Sequence, residues 1–219
     1  MKPKKLTDTK WSYDLAYAVG LLVTDGNLSK DGRHLNFTSK DKDLVKIFAD
    51  CLGLSNKIGE KTSGFTGRKD CFNIQFGDII FYKWCLDIGL MPNKSKVLKG
   101  LKIPEKYFFD FLRGCFDGDG CIYAYWDPRW RSSYMFYTQF CSASLDFINW
   151  LKKIIKHSLG IKGKITRGSG VWQLRFAKND SLLIFQKMFY AKGLPCLKRK
   201  FLKANKIFKT ENKHNNLPR

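Results

Sequence analysis

Two short stretches of this sequence end in an aspartate whose position could support chemistry. The first ends in Asp25-Gly26 and the second, 94 residues later, ends in Asp119-Gly120. In a gapless alignment of the two stretches, Gly20 falls on Gly114 and the two aspartates coincide. Each aspartate follows an apolar run without proline, which is typical of a buried helix. The sequence therefore predicts two copies of a helix that ends in a carboxylate.

A pair of such carboxylates is suited to phosphodiester hydrolysis. Attack by water requires stabilisation of the attacking and leaving oxygens, and divalent metal ions provide it. Hard cations bind carboxylate and carbonyl oxygens, and a helix C-terminus offers unpaired carbonyls and negative potential. We therefore predict that Asp25 and Asp119, with the carbonyls at Thr24 and Gly118, bind Mg²⁺. Two such sites about a two-fold axis would suit the two antiparallel strands of a duplex.

The elements that must position these residues occur twice in the same order. Alternation of polar and apolar residues predicts strands, and apolar residues at helical spacing predict helices. The predicted helices cover residues 13–24, 41–52, 79–90, 104–119, 145–159 and 182–191, and the predicted strands cover 27–29, 34–38, 57–61, 72–76, 122–126, 134–140, 162–166 and 172–176. The sequence thus predicts an α+β fold of two pseudo-symmetric αββαββα halves, residues 1–100 and 101–219.

The first helix of each half is apolar nearly all round, so it needs another element to cover it. Packing these two helices against each other satisfies both. Gly20 and Gly114 would then let the two backbones approach closely, because glycine has no Cβ atom. This arrangement would place Asp25 and Asp119 side by side at the same end of the helix pair.

Composition narrows the class of partner. The chain has 219 residues, with 40 Lys and Arg against 19 Asp and Glu, and a net charge of +21. Such a surface favours a polyanion, either nucleic acid or an anionic membrane. No apolar run approaches the ~20 residues that span a bilayer, and the N-terminus lacks a signal core. We expect an intracellular protein, in the cytoplasm or nucleoid of a bacterium, phage or archaeon, or in an organelle.

The seven cysteines contain no Cys-x-x-Cys spacing, which favours buried thiols over zinc ligands or disulfides.

The two stretches resemble the paired signature helices of the LAGLIDADG homing endonucleases, in the single-chain form with two motifs. The resemblance rests on Gly20-Leu21-Leu22-Val23-Thr24-Asp25-Gly26 and on Gly114-Cys115-Phe116-Asp117-Gly118-Asp119-Gly120. The first copy has Val23 in place of the earlier acidic residue, and the second has Arg113 in place of a small residue. Lys94 and Lys198, which follow two Gly-Leu pairs, resemble the basic residue that precedes the last helix in the family. We expect these lysines to polarise the attacking water or to stabilise the phosphorane.

The resemblance implies a monomeric, site-specific endonuclease that cuts both strands of DNA with Mg²⁺. Mn²⁺ would also support cleavage, and Ca²⁺ would bind without cleavage. The target would be long and non-palindromic, the cut would leave short 3′ overhangs, and the protein would mobilise its own intron or intein. The alternatives of the same fold are a non-cleaving DNA-binding regulator and an intron RNA maturase. A ribosome-associated basic protein would explain the charge but not the paired carboxylates.

DNA reading would fall to the exposed faces of two saddle-shaped antiparallel sheets, since a two-stranded ribbon fits the major groove. Alternation along the strands indicates which polar side chains share that face. The predicted DNA-contacting residues are Ser29, Arg33, Asn36, Thr38, Arg68, Asn73 and Gln75 in the first half, and Tyr123, Tyr125, Arg131, Gln139, Lys164, Arg167, Gln173 and Arg175 in the second.

Overall fold

The computed structural model describes residues 6–62, 67–130 and 133–215. The N-terminal half contains α1 (Tyr13–Thr24), β1 (Gly26–Leu28), β2 (His34–Ser39), α2 (Lys42–Leu52), β3 (Gly59–Lys61), β4 (Cys71–Gly77) and α3 (Ile79–Asp87). The C-terminal half contains α4 (Phe108–Gly118), β5 (Cys121–Trp126), β6 (Tyr134–Ser142), α5 (Leu145–Leu159), β7 (Lys164–Gly168), β8 (Val171–Ala177), α6 (Lys178–Met188) and α7 (Lys198–Asn215). Short 3₁₀ turns cover Lys94–Lys96 and Glu105–Tyr107.

Each half contains one four-stranded antiparallel sheet, and the two sheets have the same strand order. The order is β1-β2-β4-β3 in the first sheet and β5-β6-β8-β7 in the second. On β2 and β4, the inward side chains Leu35, Phe37, Ile74 and Phe76 are buried in the core, and the residues between them are more exposed. The predicted α+β fold with two αββαββα halves is confirmed.

Helices α1 and α4 pack closely against each other at their glycines. A Cβ atom added to Gly20 would lie 2.2 Å from the carbonyl oxygen of Phe111, and one added to Gly114 would lie 2.1 Å from the carbonyl oxygen of Tyr17. Real side chains do not approach backbone atoms this closely, so only glycine fits at these two positions. Every α1 residue from Leu15 to Val23 is buried. The predicted contact of the two motif helices at Gly20 and Gly114 is therefore present.

Four helices differ from the sequence-based prediction. α4 begins at Phe108 rather than at residue 104, because Glu105–Tyr107 form a 3₁₀ turn. α3 ends at Asp87 rather than at residue 90, because Gly89 has φ +103° and ends the helical conformation. α6 spans Lys178–Met188 rather than 182–191. The largest difference is α7, an 18-residue helix in a region for which no full helix was predicted. Phe201, Ala204, Ile207 and Phe208 pack its inner side against the core, so the third helix of the second half is followed by a fourth.

The remaining sequence expectations concern membranes and thiols. In the part of the chain that the structure describes, no helix combines the length and apolar character that crossing a bilayer requires. All seven cysteines are free thiols; Cys85 and Cys115 are buried, and the other five are partly buried.

Candidate active site and nucleic-acid interface

The two predicted aspartates lie together where α1 and α4 end. Asp25 and Asp119 are the C-cap residues of these helices, and their backbone N–H groups donate to Leu21 and Cys115, respectively. A carboxylate oxygen of Asp25 would lie 3.0 Å from a Cβ atom added to Gly118, the residue that immediately precedes Asp119. The Asp25 side chain therefore contacts the end of the opposite helix, and the two carboxylates share one site.

The site holds two negative charges close together, with Asp25 partly buried and Asp119 exposed. Burial raises the pKa of Asp25 to about 7; the neighbouring charge of Asp119 adds to the shift, and Lys200 and Lys94 oppose it. Burial also raises the pKa of Asp119, against the opposing charges of the same two lysines. Close carboxylates that have lost part of their water favour an additional positive charge. The electrostatics of the site therefore suit a bound cation.

Two lysine ammonium groups flank the carboxylates. Lys94 is only 7% exposed and donates to the carbonyl oxygen of Gly26. Burial lowers the pKa of Lys94 and of Lys200, although the charges of Asp25 and Asp119 act to raise both. Lys200 Nζ lies 2.8 Å from the carbonyl oxygens of Phe116, Asp117 and Gly118 and 2.6 Å from that of Gly120, so it caps the end of α4.

Lys200, rather than the predicted Lys198, is therefore the counterpart of Lys94. Lys94 binds the carbonyl of Gly26 and Lys200 binds that of Gly120, and these two glycines correspond in the two motifs. Lys198 is exposed at the first position of α7. The sequence alignment placed the counterpart two residues too early, because the segment between Leu194 and the lysine is two residues longer than the segment after Leu90.

The predicted metal ligands are brought together only in part. Asp25 and Asp119 offer carboxylate oxygens, but the carbonyl of Gly118 accepts a hydrogen bond from the Lys200 ammonium. The Thr24 hydroxyl donates to the carbonyl of Leu21, and the predicted ligand at this residue is its backbone carbonyl. Among the described residues, no group of three or more His, Cys, Asp or Glu side chains could hold an ion. Mg²⁺ commonly takes one or two carboxylates and completes its shell with substrate phosphates and water. The two aspartates fit that kind of site.

A buried polar network on α4, which was not predicted, holds the chain segment that leads to Lys200. Arg113 is fully buried and donates to Asp110 at 2.8 Å, to the carbonyl of Met188 at 2.7 Å and to the carbonyl of Pro195 at 2.9 Å. The larger side chain at this small-residue position is thus explained by three buried acceptors. The only sequence signal for the network was that arginine itself.

Asp117 extends the network from α4 to both neighbours. One of its carboxylate oxygens accepts two hydrogen bonds, from the hydroxyl of Tyr17 on α1 at 2.8 Å and from the backbone N–H of Leu197 at 2.7 Å. Leu197 immediately precedes α7, which carries Lys200 in its first turn. The start of α7 is therefore fixed against the motif helices from which Asp25 and Asp119 project.

The predicted DNA-contacting residues of the first sheet share its outward face. Asn36 lies opposite Gln75, and Thr38 lies opposite Asn73, so the four side chains are neighbours across β2 and β4. The other three predicted residues lie in connections. Ser29 and Arg33 lie between β1 and β2, and Arg68 is exposed before β4.

The second sheet presents a different set of side chains on its outward face. Arg175 lies between Gln139 and Lys164 across three strands, and it donates to Gln173 at 2.6 Å. Gln139, however, is only 8% exposed, so the prediction that it is offered to DNA is wrong. Tyr123 and Tyr125 also lie on this face, where both stack on Tyr137 with ring centroids 5.4 and 6.2 Å apart.

The prediction that Arg167 faces DNA with Lys164 is also wrong. Arg167 lies opposite Trp172, and directly opposed residues in an antiparallel pair point to the same face. Trp172 packs against the core, and the Arg167 guanidinium stacks over its ring at 5.4 Å. Arg167 therefore belongs to the helix-covered face of the sheet. The predicted contact Arg131 lies outside the described residues.

Comparison with known proteins supports the resemblance found in the motifs. Residues 108–189 match the family described as the LAGLIDADG-like domain. An uncharacterised protein of Methanocaldococcus jannaschii is 30% identical over 128 residues, which cover 54% of this chain and 42% of that protein. The chain thus aligns with less than half the length of this relative.

Solved structures match nearly the whole chain. The N-terminal LAGLIDADG domain of WhiA has a TM-score of 0.56 at 15% identity, covering 90% of this chain and 88% of that one. The LAGLIDADG homing endonuclease I-LtrWI, bound to target DNA, has a TM-score of 0.59 at 15% identity, covering 92% and 91%. I-DmoI in complex with DNA and Mn has a TM-score of 0.53 at 13% identity, covering 82% and 97%. This chain therefore has the LAGLIDADG homing endonuclease fold, with both motif halves in one polypeptide.

Proposed function

We propose that this protein is a divalent-metal-dependent endonuclease that hydrolyses both strands of duplex DNA. The observation that supports the proposal most strongly is the pairing of Asp25 and Asp119 at the touching ends of α1 and α4. Buried Lys94 and partly buried Lys200 flank this pair and interact with both carboxylates. The requirements of the fold explain the two glycines, but they do not explain two neighbouring carboxylates between two ammonium groups.

In this proposal Asp25 and Asp119 hold the metal, and Mg²⁺ is the ion we expect in the cell. When bound, a divalent cation stabilises charge on the phosphodiester and on the oxygens that attack and leave. The chain itself supplies two fixed positive charges. Lys94 and Lys200 are tethered to backbone carbonyls, so their ammonium groups need no reorganisation as negative charge develops on the phosphorane.

The two sheets would bind the duplex on either side of this site. Their outward faces differ in composition. One face carries Asn36, Thr38, Asn73 and Gln75, and the other carries tyrosines, Lys164, Gln173 and Arg175. A single chain with two unlike faces would recognise a long target that is not a palindrome. The resemblance to the homing endonucleases extends the proposal to a monomer that leaves short 3′ overhangs and mobilises an intron or intein.

A non-cleaving DNA-binding regulator and an RNA maturase are the alternatives within the same fold. The fold is shared by the N-terminal domain of WhiA as well as by proteins named as homing endonucleases, so architecture alone does not decide between cleavage and binding. Both aspartates are present here, and both lie close to lysines, which favours the nuclease.

A cleavage selection on a randomised DNA library with Mg²⁺ tests the proposal. The wild-type protein is expected to enrich one long family of cut sites. The Asp25→Asn, Asp119→Asn double variant is expected to enrich none, while still retaining DNA in Ca²⁺. The Asp50→Asn, Asp87→Asn double variant, with exposed changes on α2 and α3, is the control with an equal loss of two carboxylates and should behave as wild type. If the double variant enriched the same sites as wild type, the assignment of the aspartates would be rejected.

A further inference from the structure

Helix α7 carries an exposed row of lysines, which we call the α7 lysine stripe: Lys198, Lys203, Lys206 and Lys209. All four are exposed, whereas Ala204 and Ile207 are buried. At 3.6 residues per turn, Lys198, Lys206 and Lys209 lie roughly opposite Ala204, and Lys203 lies at the border of the buried side, one turn before Ile207. The core therefore holds α7 so that its cationic side faces outward.

The helix runs alongside β5, an edge strand of the second sheet. Lys200 also binds the carbonyl oxygen of Gly120, which precedes β5, and the Phe208 ring lies 5.5 Å from Phe136, which is paired with Ala124 of β5. The stripe therefore lies at the β5 edge of the sheet whose outward face carries Tyr123 and Tyr125.

The stripe places like charges close together, and no ion pair within the described protein compensates for their repulsion. Lys203, Lys206 and Lys209 repeat at i, i+3, a spacing at which like charges destabilise a helix. The first turn of α7 also contains no acidic residue to match the helix dipole. Arg199 is paired with Asp41, but within the described residues none of the stripe lysines forms an ion pair. An external anion would remove the repulsion.

The spacing and setting of these lysines fit a nucleic-acid backbone better than a membrane. A helix that binds a bilayer inserts its apolar side into the lipid, but the apolar side of α7 is buried against the protein core. Leu202 is exposed on the side of the stripe, but a single leucine among lysines does not form an apolar face. A row of lysines of this kind matches a row of phosphates. The N-terminal half has no such helix: after Lys94–Lys96 the chain passes without a long helix to α4.

We propose that the α7 lysine stripe binds the phosphate backbone of duplex DNA next to the segment contacted by β5 and β6. The protein would then hold more DNA on its C-terminal side than on its N-terminal side. This inference rests on the proposed function only in taking duplex DNA as the ligand. It does not require that the DNA be cut.

The test measures binding of the full chain to a fluorescently labelled 30-bp duplex of random sequence, in EDTA, as a function of KCl concentration. The variant is K203Q/K206Q/K209Q. The matched control is K152Q/K153Q/K156Q on α5, which removes three lysine charges from another helix of the same half. The slope of log affinity against log salt should become less negative by about 1–3 for the α7 variant, since each lost phosphate contact contributes about 0.9. The control should keep the wild-type slope.

Equal changes of the salt slope in the α7 and α5 variants would mean that only net charge matters. An unchanged slope in the α7 variant would mean that the stripe does not touch DNA. Either result overturns the proposal. So would a loss of binding to phosphatidylserine vesicles with unchanged binding to the duplex. If the triple variant failed to fold, Lys206→Gln alone should reduce the slope by about 1. Because no step requires cleavage, the stripe can be confirmed even if the nuclease proposal fails.

Discussion

At the scale of single residues, the site depends on two neighbouring carboxylates and on two ammonium groups that donate to backbone carbonyls. The sequence was sufficient to find Asp25 and Asp119, because two motifs in register mark them. It was not sufficient to find Lys200. The segment that precedes Lys200 is two residues longer than the one that precedes Lys94, and only the packing of α7 shows which lysine reaches the end of α4.

The raised pKa of Asp25 predicts how the stability of the metal-free protein depends on pH. The pKa is about 7 in the folded state against an ordinary value of 3.8, so the folded protein binds more protons than the unfolded chain between these values. The free energy of unfolding should therefore fall as pH rises from about 4 to about 7. Urea unfolding at several pH values should show a smaller fall for Asp25→Asn than for wild type. An identical pH dependence would contradict the assigned environment of Asp25.

The same pKa predicts proton-linked metal binding. A cation needs the ionised carboxylate, so the affinity for Ca²⁺ should be higher at pH 8 than at pH 6. Isothermal titration of Ca²⁺ into the protein–DNA complex measures this directly. Release of protons on binding at pH 6.5 is expected for wild type and should be reduced in Asp25→Asn. Binding that is insensitive to pH would argue that Asp25 is not a ligand.

Variants of Lys200 and Lys198 form a matched pair that tests which of the two lysines is the counterpart of Lys94. Lys200→Met removes the donor that caps four carbonyls of α4, so we expect loss of cleavage and destabilisation by about 1–3 kcal/mol. Lys198→Met removes the same charge from the exposed first position of α7. It should leave the urea midpoint and the cleavage rate at saturating DNA close to wild type, and should lower only the affinity for DNA, because Lys198 belongs to the α7 lysine stripe. The reverse ranking of the two variants would restore Lys198 as the counterpart of Lys94.

At the scale of elements, the contact of α1 with α4 determines where both carboxylates lie. An added Cβ at Gly114 would lie 2.1 Å from a backbone oxygen, so the helices must separate to admit it. Gly114→Ala should therefore lower the free energy of unfolding by about 3 kcal/mol and reduce cleavage by moving Asp25 away from Asp119. Gly59→Ala is the control, because its Cβ would meet only the flexible end of Asn73. Similar denaturation midpoints for the two variants would contradict the close helix contact.

At the scale of the whole molecule, the sequence predicted the architecture because alternation and internal repetition are strong local signals. It failed where a residue's role depends on distant partners. The lysines of α7 obscured the apolar spacing of Phe201, Ala204, Ile207 and Phe208, whose burial depends on the second sheet. Arg167 was placed on the wrong face because strand pairing puts it opposite Trp172. The network around Arg113 required residues from two halves and could not be inferred from spacing.

The proposal that one shared site cuts both strands can be tested with a supercoiled plasmid that carries the selected target. With Mg²⁺, wild type should convert the plasmid to the linear form. Asp25→Asn and Asp119→Asn should each abolish linearisation, while their binding to the target in Ca²⁺ stays within about tenfold of wild type, a difference of about 1.4 kcal/mol. Linearisation at the wild-type rate by either single variant would contradict the assignment of the paired aspartates as the catalytic centre.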